Sequence, residues 1–144
     1  MDDERKSRYY DKLANLKKYY QLLEEWFNSN KLEEFSQEQN FQAIFAIYHA
    51  FELIIEVIID ISAMIVKDIN HKARDSYLNF EVLLREKIIT QELYDTLKEL
   101  NGLRNRIVHD YNGLSDQIAW EAISNNLIKI PKFQEAIELW LKAQ

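Results

Sequence analysis

The sequence predicts an all-α fold, an antiparallel bundle of about five helices, and three observations predict it. Two glycines and one proline occur in 144 residues, where average usage of about 7% and 5% would give roughly ten and seven. Apolar residues recur at spacings of three and four over long stretches, the pattern of a helix with one buried face. Helix-starting hydroxyl residues stand ahead of these stretches, at Ser36, Thr90 and Ser115. Tight hairpins and phosphate-cradling loops need glycine, so most all-β folds, the P-loop and the dinucleotide fingerprint are excluded.

The first helix is predicted from about Ser7 to Asn28, because Leu13, Leu16, Tyr20, Leu23 and Phe27 fall on one face. A polar break follows at Asn28 to Lys31, and Ser36 with Gln39 fits a capping box. It opens a long second helix that runs to about Lys67. Phe41, Ile44, Phe45, Tyr48, Phe51, Ile55, Ile58 and Ile59 give one stripe, and Leu53, Ile54, Val57, Ile61 and Met64 make almost every remaining face apolar. A helix apolar all round is buried all round. One small bundle covers one side of it, and a second copy of the chain is a natural cover for the other, so a homodimer is expected.

Residues 68–75 read as a polar connection to a short third helix, about Ser76 to Lys87, with Tyr77, Phe80, Leu83 and Leu84 inward. Thr90 caps a fourth helix carrying Leu93, Leu97 and Leu100 and running to about Asp110, where Asn112-Gly113 ends it. Ser115 caps a fifth, with Ile118, Trp120, Ile123 and Leu127. Pro131 cannot continue it smoothly. A break near 129–131 is expected, then a last segment with Phe133, Ile137, Leu139, Trp140 and Leu141. No linker or repeat divides the chain, so residues 1–144 are expected to form one domain.

The chain has no cysteine, which excludes disulfides, a thiol nucleophile and cysteine-held metal. Three scattered histidines, at 49, 71 and 109, make no metal cluster; neither a metal nor a cofactor is expected. The N-terminus, MDDERKSRYY, lacks the apolar core of a secretory signal. The richest apolar run, Leu53 to Val66, contains Glu56 and Asp60 and is shorter than the roughly 20 residues of a membrane span. A cytoplasmic protein without a membrane partner is expected. A net charge of −6 is unsuited to broad electrostatic capture of DNA or RNA. It leaves room for a small basic site on an acidic body.

The informative stretch is LRNRIVHDY, residues 103–111. At 100° per residue with Arg104 at zero, Leu93, Leu97, Leu100, Ile107, Val108 and Tyr111 all fall within about 60° of it. Asn105 and His109 make an i, i+4 pair on the flank, near 100° and 140°. A guanidinium in an apolar seam must be paired. Either Arg104 forms a structural salt bridge with Glu52, Glu56 or Asp60, an acidic line on the second helix, or it faces a groove and meets an anionic substrate. His109 reads as a helix-end hydrogen-bonding residue or as a proton-transfer group, since imidazoles titrate near neutrality. Arg106 reads as an exposed charge that would add to a basic groove, and Asp110 as a helix-end residue or the histidine's orienting partner. Tyr111 is by default a core tyrosine with its hydroxyl at the edge.

Arg104, four residues, His109, one residue and Tyr111 resemble the R-x4-6-H-x-Y signature of the HepT-like branch of the HEPN superfamily. FQAIFAIYHAFELIIEVIIDISAMIV resembles that family's long second helix, and SYLNFEVLLREKIITQELYDTLKELNGLRNRIVHDYNGL its short helix, connection and motif helix. The resemblance covers roughly residues 37–130. It implies an all-α homodimer whose two motifs face each other across a groove. It further implies a metal-independent endoribonuclease that acts on RNA as the toxin of a toxin–antitoxin pair. The implied partner is an MntA-type minimal nucleotidyltransferase, which neutralises the toxin by transferring AMP to the motif tyrosine. Carried over by position, Arg104 and His109 would be the catalytic pair and Asn105 the polar residue after the arginine. Tyr111 would be the modification target, and Asp60 matches an acid often present on the second helix. The rival expectations are a non-catalytic dimeric module that binds a nucleotide or the transferase, a purely structural dimer, and a metal hydrolase on the Glu52/Glu56/Asp60 line.

Overall fold

A computed structural model describes residues 1–29 and 41–144. Among these it places six α-helices: α1 (Asp3–Asn28), α2 (Phe41–Asp68), α3 (Ser76–Arg85), α4 (Gln91–His109), α5 (Asp116–Asn126) and α6 (Ile130–Lys142). Single 3-10 turns, Tyr111–Gly113 and Leu127–Lys129, precede α5 and α6. The described residues contain no strand. The second of these turns is the break expected before Pro131, which sits in the first turn of α6, where its missing N–H costs nothing.

Side-chain caps fix four of the six starts. Thr90 Oγ1 accepts from the Leu93 N–H at 3.1 Å and Ser115 Oγ from the Ile118 N–H at 3.3 Å, as the sequence predicts. Asp75 caps α3 through the Leu78 N–H (3.0 Å) and Asp2 caps α1 through the Arg5 N–H (2.7 Å). Each such cap contributes about 1 kcal/mol. Helix α1 therefore begins at Asp3, four residues before the predicted start at Ser7; Asp3 and Glu4 in its first turn also suit the positive end of the helix dipole. The predicted Ser36–Gln39 capping box lies outside the described residues.

Helix α2 is the axis of the bundle. Ile44, Ile47, Phe51, Ile54, Ile55, Ile58, Ile61 and Ile65 are buried along it. Helix α1 runs antiparallel to α2: Arg5 Nε and the Tyr9 hydroxyl both donate to Asp68 Oδ2, at 2.9 and 2.6 Å, and Lys12 Nζ meets Asp60 at 3.1 Å. Helix α4 is antiparallel to α2 as well, since Arg104 reaches Glu56 while Tyr111, just past its end, lies against Tyr48. Phe27 stacks on Trp120 (4.2 Å between centroids) and Tyr9 meets Trp140 edge-on at 5.5 Å, which ties α1 to α5 and α6.

The all-round burial expected of α2 is only partly realised. Leu53, Val57, Ile59 and Met64 are half-buried, and Phe41 and Phe45 are each 53% exposed. Lys12–Asp60 joins α1 to this arc and Arg104–Glu56 joins α4 to it, one turn apart on the same line of α2. Phe45, His49 and Glu52 stand on the same open arc of the helix. Tyr77, Val108, Ile118 and Leu139, which the periodicity turns inward, are exposed. Spacings of three and four locate a face but not its width. Among the described residues, no helix is long and apolar enough to cross a membrane.

Burial raises the hydroxyl pKa of Tyr9 and Tyr48 strongly, and that of Tyr20 to about 12, with hydrogen bonds to Asp68, Asp116 and Glu24 adding to the shift. Tyrosines in the unfolded chain ionise near pH 10. The neutral buried phenols therefore contribute stability that is fully present below about pH 10 and is lost as pH rises toward their folded values. Tm is expected to fall above about pH 10, with a shallower fall in Tyr9→Phe. An alkaline slope identical in Tyr9→Phe and wild type would contradict this.

Candidate functional site

The motif lies at the C-terminal end of α4. Thr90 sets the helix start, and His109 is its last residue; Asp110 leaves helical geometry at φ −143° and ψ 46°. The chain then tightens into the 3-10 turn Tyr111–Gly113. Glycine at 113 allows the Asp110 carboxylate to lie over this turn, since a Cβ there would stand 2.6 Å from Asp110 Oδ1. Arg106 Nη2 reaches the Gly113 carbonyl at 3.4 Å.

Of the three acids available to it, Arg104 meets Glu56, Nη2 to Oε1 at 3.3 Å. Its Nη1 donates to Asn105 Oδ1 at 3.1 Å. The pair is not sealed: the Arg104 side chain is 22% exposed and that of Glu56 41%. Arg104 Nε is buried with no hydrogen-bond partner, a deficit of about 1–3 kcal/mol. Glu52 lies 3.9 Å from His49, and Asp60 pairs with Lys12. The acidic line is thus divided among three basic partners. Among the described residues, no group of three or more His, Asp or Glu is arranged to hold a metal ion.

Tyr111 is 38% exposed and stands in an aromatic cluster. Its ring meets Tyr48 edge-on at 5.9 Å and lies 6.0 Å from Phe45, which in turn stacks on Phe41 at 5.8 Å. The Tyr48 hydroxyl donates to Asp116 Oδ1 in the first turn of α5. Partial burial, and then the Asp116 charge, raise the Tyr111 hydroxyl pKa, so its neutral form is favoured. Phe45, Tyr48, His49, Glu52, Ile107 and Tyr111 line an open depression of about 340 Å³.

Arg104, Asn105 and Glu56 are therefore joined through one guanidinium, and Tyr111 shares the same helix end. His109 is exposed, one turn beyond Asn105. Asp60 and Arg106 are directed elsewhere, to α1 and to the 3-10 turn. Sequence reasoning missed Phe45 and Tyr48 as neighbours of Tyr111 because both fit the core stripe of α2. The antiparallel pairing of α2 and α4, which brings the start of one to the end of the other, is the signal that would have found them. Chemically, the end of α4 carries a cation, an imidazole and a phenol, and of these the phenol, Tyr111, lines the open concavity. That set suits an anionic substrate and proton transfer.

The family model Ribonuclease HepT-like matches residues 16–138. A provisionally named RNase of Archaeoglobus fulgidus is 39% identical over 84 residues, 58% of this chain and 64% of that one. The tRNA nuclease HepT of Aphanizomenon flos-aquae is 33% identical over 93 residues, 62% of each chain. The mRNA nuclease HepT of Shewanella oneidensis is 28% identical over 130 residues, 89% of this chain and 94% of that one. The chain thus spans slightly under two thirds of the Archaeoglobus relative, and 52% of a second RNase so named in that organism. In three dimensions the chain is similar to the tri-AMPylated Shewanella oneidensis HEPN toxin, solved in complex with MNT antitoxin. The TM-score is 0.81 at 26% identity, covering 96% of this chain and 99% of that one. The resemblance read from LRNRIVHDY and its flanking helices is borne out, and the chain belongs to the HepT-like ribonuclease family.

Proposed function

We propose that the protein is a metal-independent endoribonuclease, the toxin of a HEPN/nucleotidyltransferase pair, with Arg104 and His109 as its catalytic residues. The observation that carries this reading is the half-open state of Arg104. Its guanidinium is tied to a partly exposed Glu56 carboxylate that a phosphate can replace, while the exposed His109 stands at the end of the same helix. The names of the relatives support it: two are a tRNA nuclease and an mRNA nuclease.

RNA carries its own nucleophile. The 2′-hydroxyl attacks phosphorus, the O2′–P bond forms, the P–O5′ bond breaks, and a 2′,3′-cyclic phosphate remains. One imidazole takes the 2′-OH proton, a second group protonates the leaving O5′, and a cation stabilises the crowded phosphorane. One His109 cannot easily serve as base and acid at once. Two copies facing each other in a homodimer supply both, and the half-buried Leu53, Val57, Ile59 and Met64, farther along α2 than Phe45, leave apolar surface for a second chain. Asn105, which holds Arg104 Nη1, orients the guanidinium. Asp60 and Arg106 act outside the reacting centre, in packing α1 and in holding the 3-10 turn. The whole chain works as one helical domain in the cytoplasm.

The test is cleavage of single-stranded RNA by the purified chain with EDTA present. Cyclic phosphate ends are the expected product, and strict dependence on a divalent ion would refute this version.

Neutralisation follows the same chemistry in reverse charge. A nucleotidyltransferase of the MntA type places AMP on Tyr111: the phenolic oxygen bonds to the α-phosphorus of ATP and pyrophosphate leaves. The phenolic proton passes to a base as the O–P bond forms, and the raised Tyr111 hydroxyl pKa favours the neutral phenol as the starting form. The added phosphate competes with RNA for Arg104. Support comes from the AMPylated state of the Shewanella toxin. Co-expression with a matching transferase is expected to raise the mass by whole AMP groups. An undiminished rise in Tyr111→Phe would exclude this assignment.

A further inference from the structure

We propose that the exposed aromatic strip at the start of α2 is a base-stacking subsite, in which Phe45 and Tyr111 take an unstacked nucleobase of single-stranded RNA. This rests on the nuclease reading and adds to it a means of holding substrate other than charge. Phe41 and Phe45 lie stacked and more than half exposed, and Phe45 continues onto Tyr111 of the motif. Clustered exposed rings on a charged chain mark a binding surface. Phe45 and Tyr111, with Tyr48, also wall a depression of about 340 Å³, within the size range of small-ligand clefts, roughly 300–1,000 Å³.

Its surroundings favour a base over a phosphate. Glu52 and its neighbour His49, 3.9 Å apart, both border the depression, and the carboxylate can accept hydrogen bonds from the N–H edge of a base. The cation lies one turn away, because Glu56, which holds Arg104, follows Glu52 by four residues. Phe45 precedes Glu56 by eleven residues, about 16 Å along the helix, so phosphate at Arg104 and base at Phe45 would belong to different nucleotides of one strand. The wall is rigid where rigidity helps: the Tyr48 hydroxyl is fixed by Asp116, so little freedom is lost when a ring settles against it. Stacking on aromatic faces is how proteins grip single strands without reading their sequence.

The experiment measures binding of a short mixed-sequence single-stranded RNA whose 2′-hydroxyls are methylated, so that it cannot be cut. Cleavage of the unmethylated strand and the oligomeric state are measured in parallel. Phe45→Ala is expected to weaken binding roughly 5- to 150-fold, the range of one base–aromatic stack, with recovery in Phe45→Trp. Equal binding by Phe45→Ala and wild type overturns the subsite while leaving cleavage, and with it the nuclease reading, intact. Dissociation of a dimer in Phe45→Ala also overturns it, by assigning the strip to contact between copies. Phe45-dependent binding without cleavage of the unmethylated strand supports the subsite and sinks the nuclease reading. Absence of both binding and cleavage sinks the two together.

Discussion

His109→Ala is expected to lose about 10²- to 10⁴-fold in RNA cleavage, the usual contribution of a positioned proton-transfer group, with Tm almost unchanged. The two halves of this expectation have separate physical sources. His109 is exposed and ends α4; truncating it opens no cavity. What it contributes to the fold is at most a favourable charge at the negative end of the helix, a few tenths of a kcal/mol at an exposed position. Its removal from the reaction leaves the 2′-hydroxyl without a base or the leaving oxygen without an acid. Rates and melting temperatures measured on the same preparation check both halves. Cleavage within a factor of two or three of wild type would remove His109 from the mechanism.

Arg104→Ala is expected to reduce cleavage by about 10²- to 10³-fold, comparable to deleting one donor to a developing negative charge, while changing stability by no more than about 1 kcal/mol. A structural reading of the same residue predicts the opposite. Breaking a truly buried ion pair costs about 3–5 kcal/mol. The Arg104–Glu56 pair is only partly buried, with the two side chains 22% and 41% exposed, which places it nearer the roughly 0–1 kcal/mol of surface pairs than the cost of a sealed one. The unpartnered Nε lowers the net cost further, because its deficit leaves with the side chain. Arg104→Lys keeps the charge but loses the planar fork, so its activity should fall between those of wild type and Arg104→Ala. Denaturant unfolding beside initial rates separates the two readings. A large loss of stability with little change in rate would make Arg104 a strut.

The fold was legible in the sequence wherever apolar periodicity and caps coincide. Thr90 and Ser115 were readable as caps because each bonds to an N–H three positions away, and Pro131 marks the start of α6 because it lacks an N–H and fits only the first turn of a helix. Asp2 and Asp75 act in the same way, but charged residues follow Asp2, and Asp75 reads as the last residue of the polar connection 68–75. Tertiary choices were less legible. Glu52, Glu56 and Asp60 are equivalent on a helical wheel, and only the packing of α1, which brings Lys12 to Asp60, leaves Glu56 to Arg104. Phe45 reads as core by spacing and is exposed because no described helix covers that arc of α2. Tyr111 falls on the apolar stripe only if α4 continues; the helix ends at His109, and a 3-10 turn sets the ring against Tyr48 and Phe45 instead.

The most direct measurement is the end-chemistry of RNA incubated with the purified wild-type chain in EDTA. Fragments ending in 2′,3′-cyclic phosphate are expected. Intact RNA, or fragments that form only after a divalent ion is supplied, would contradict the metal-independent nuclease.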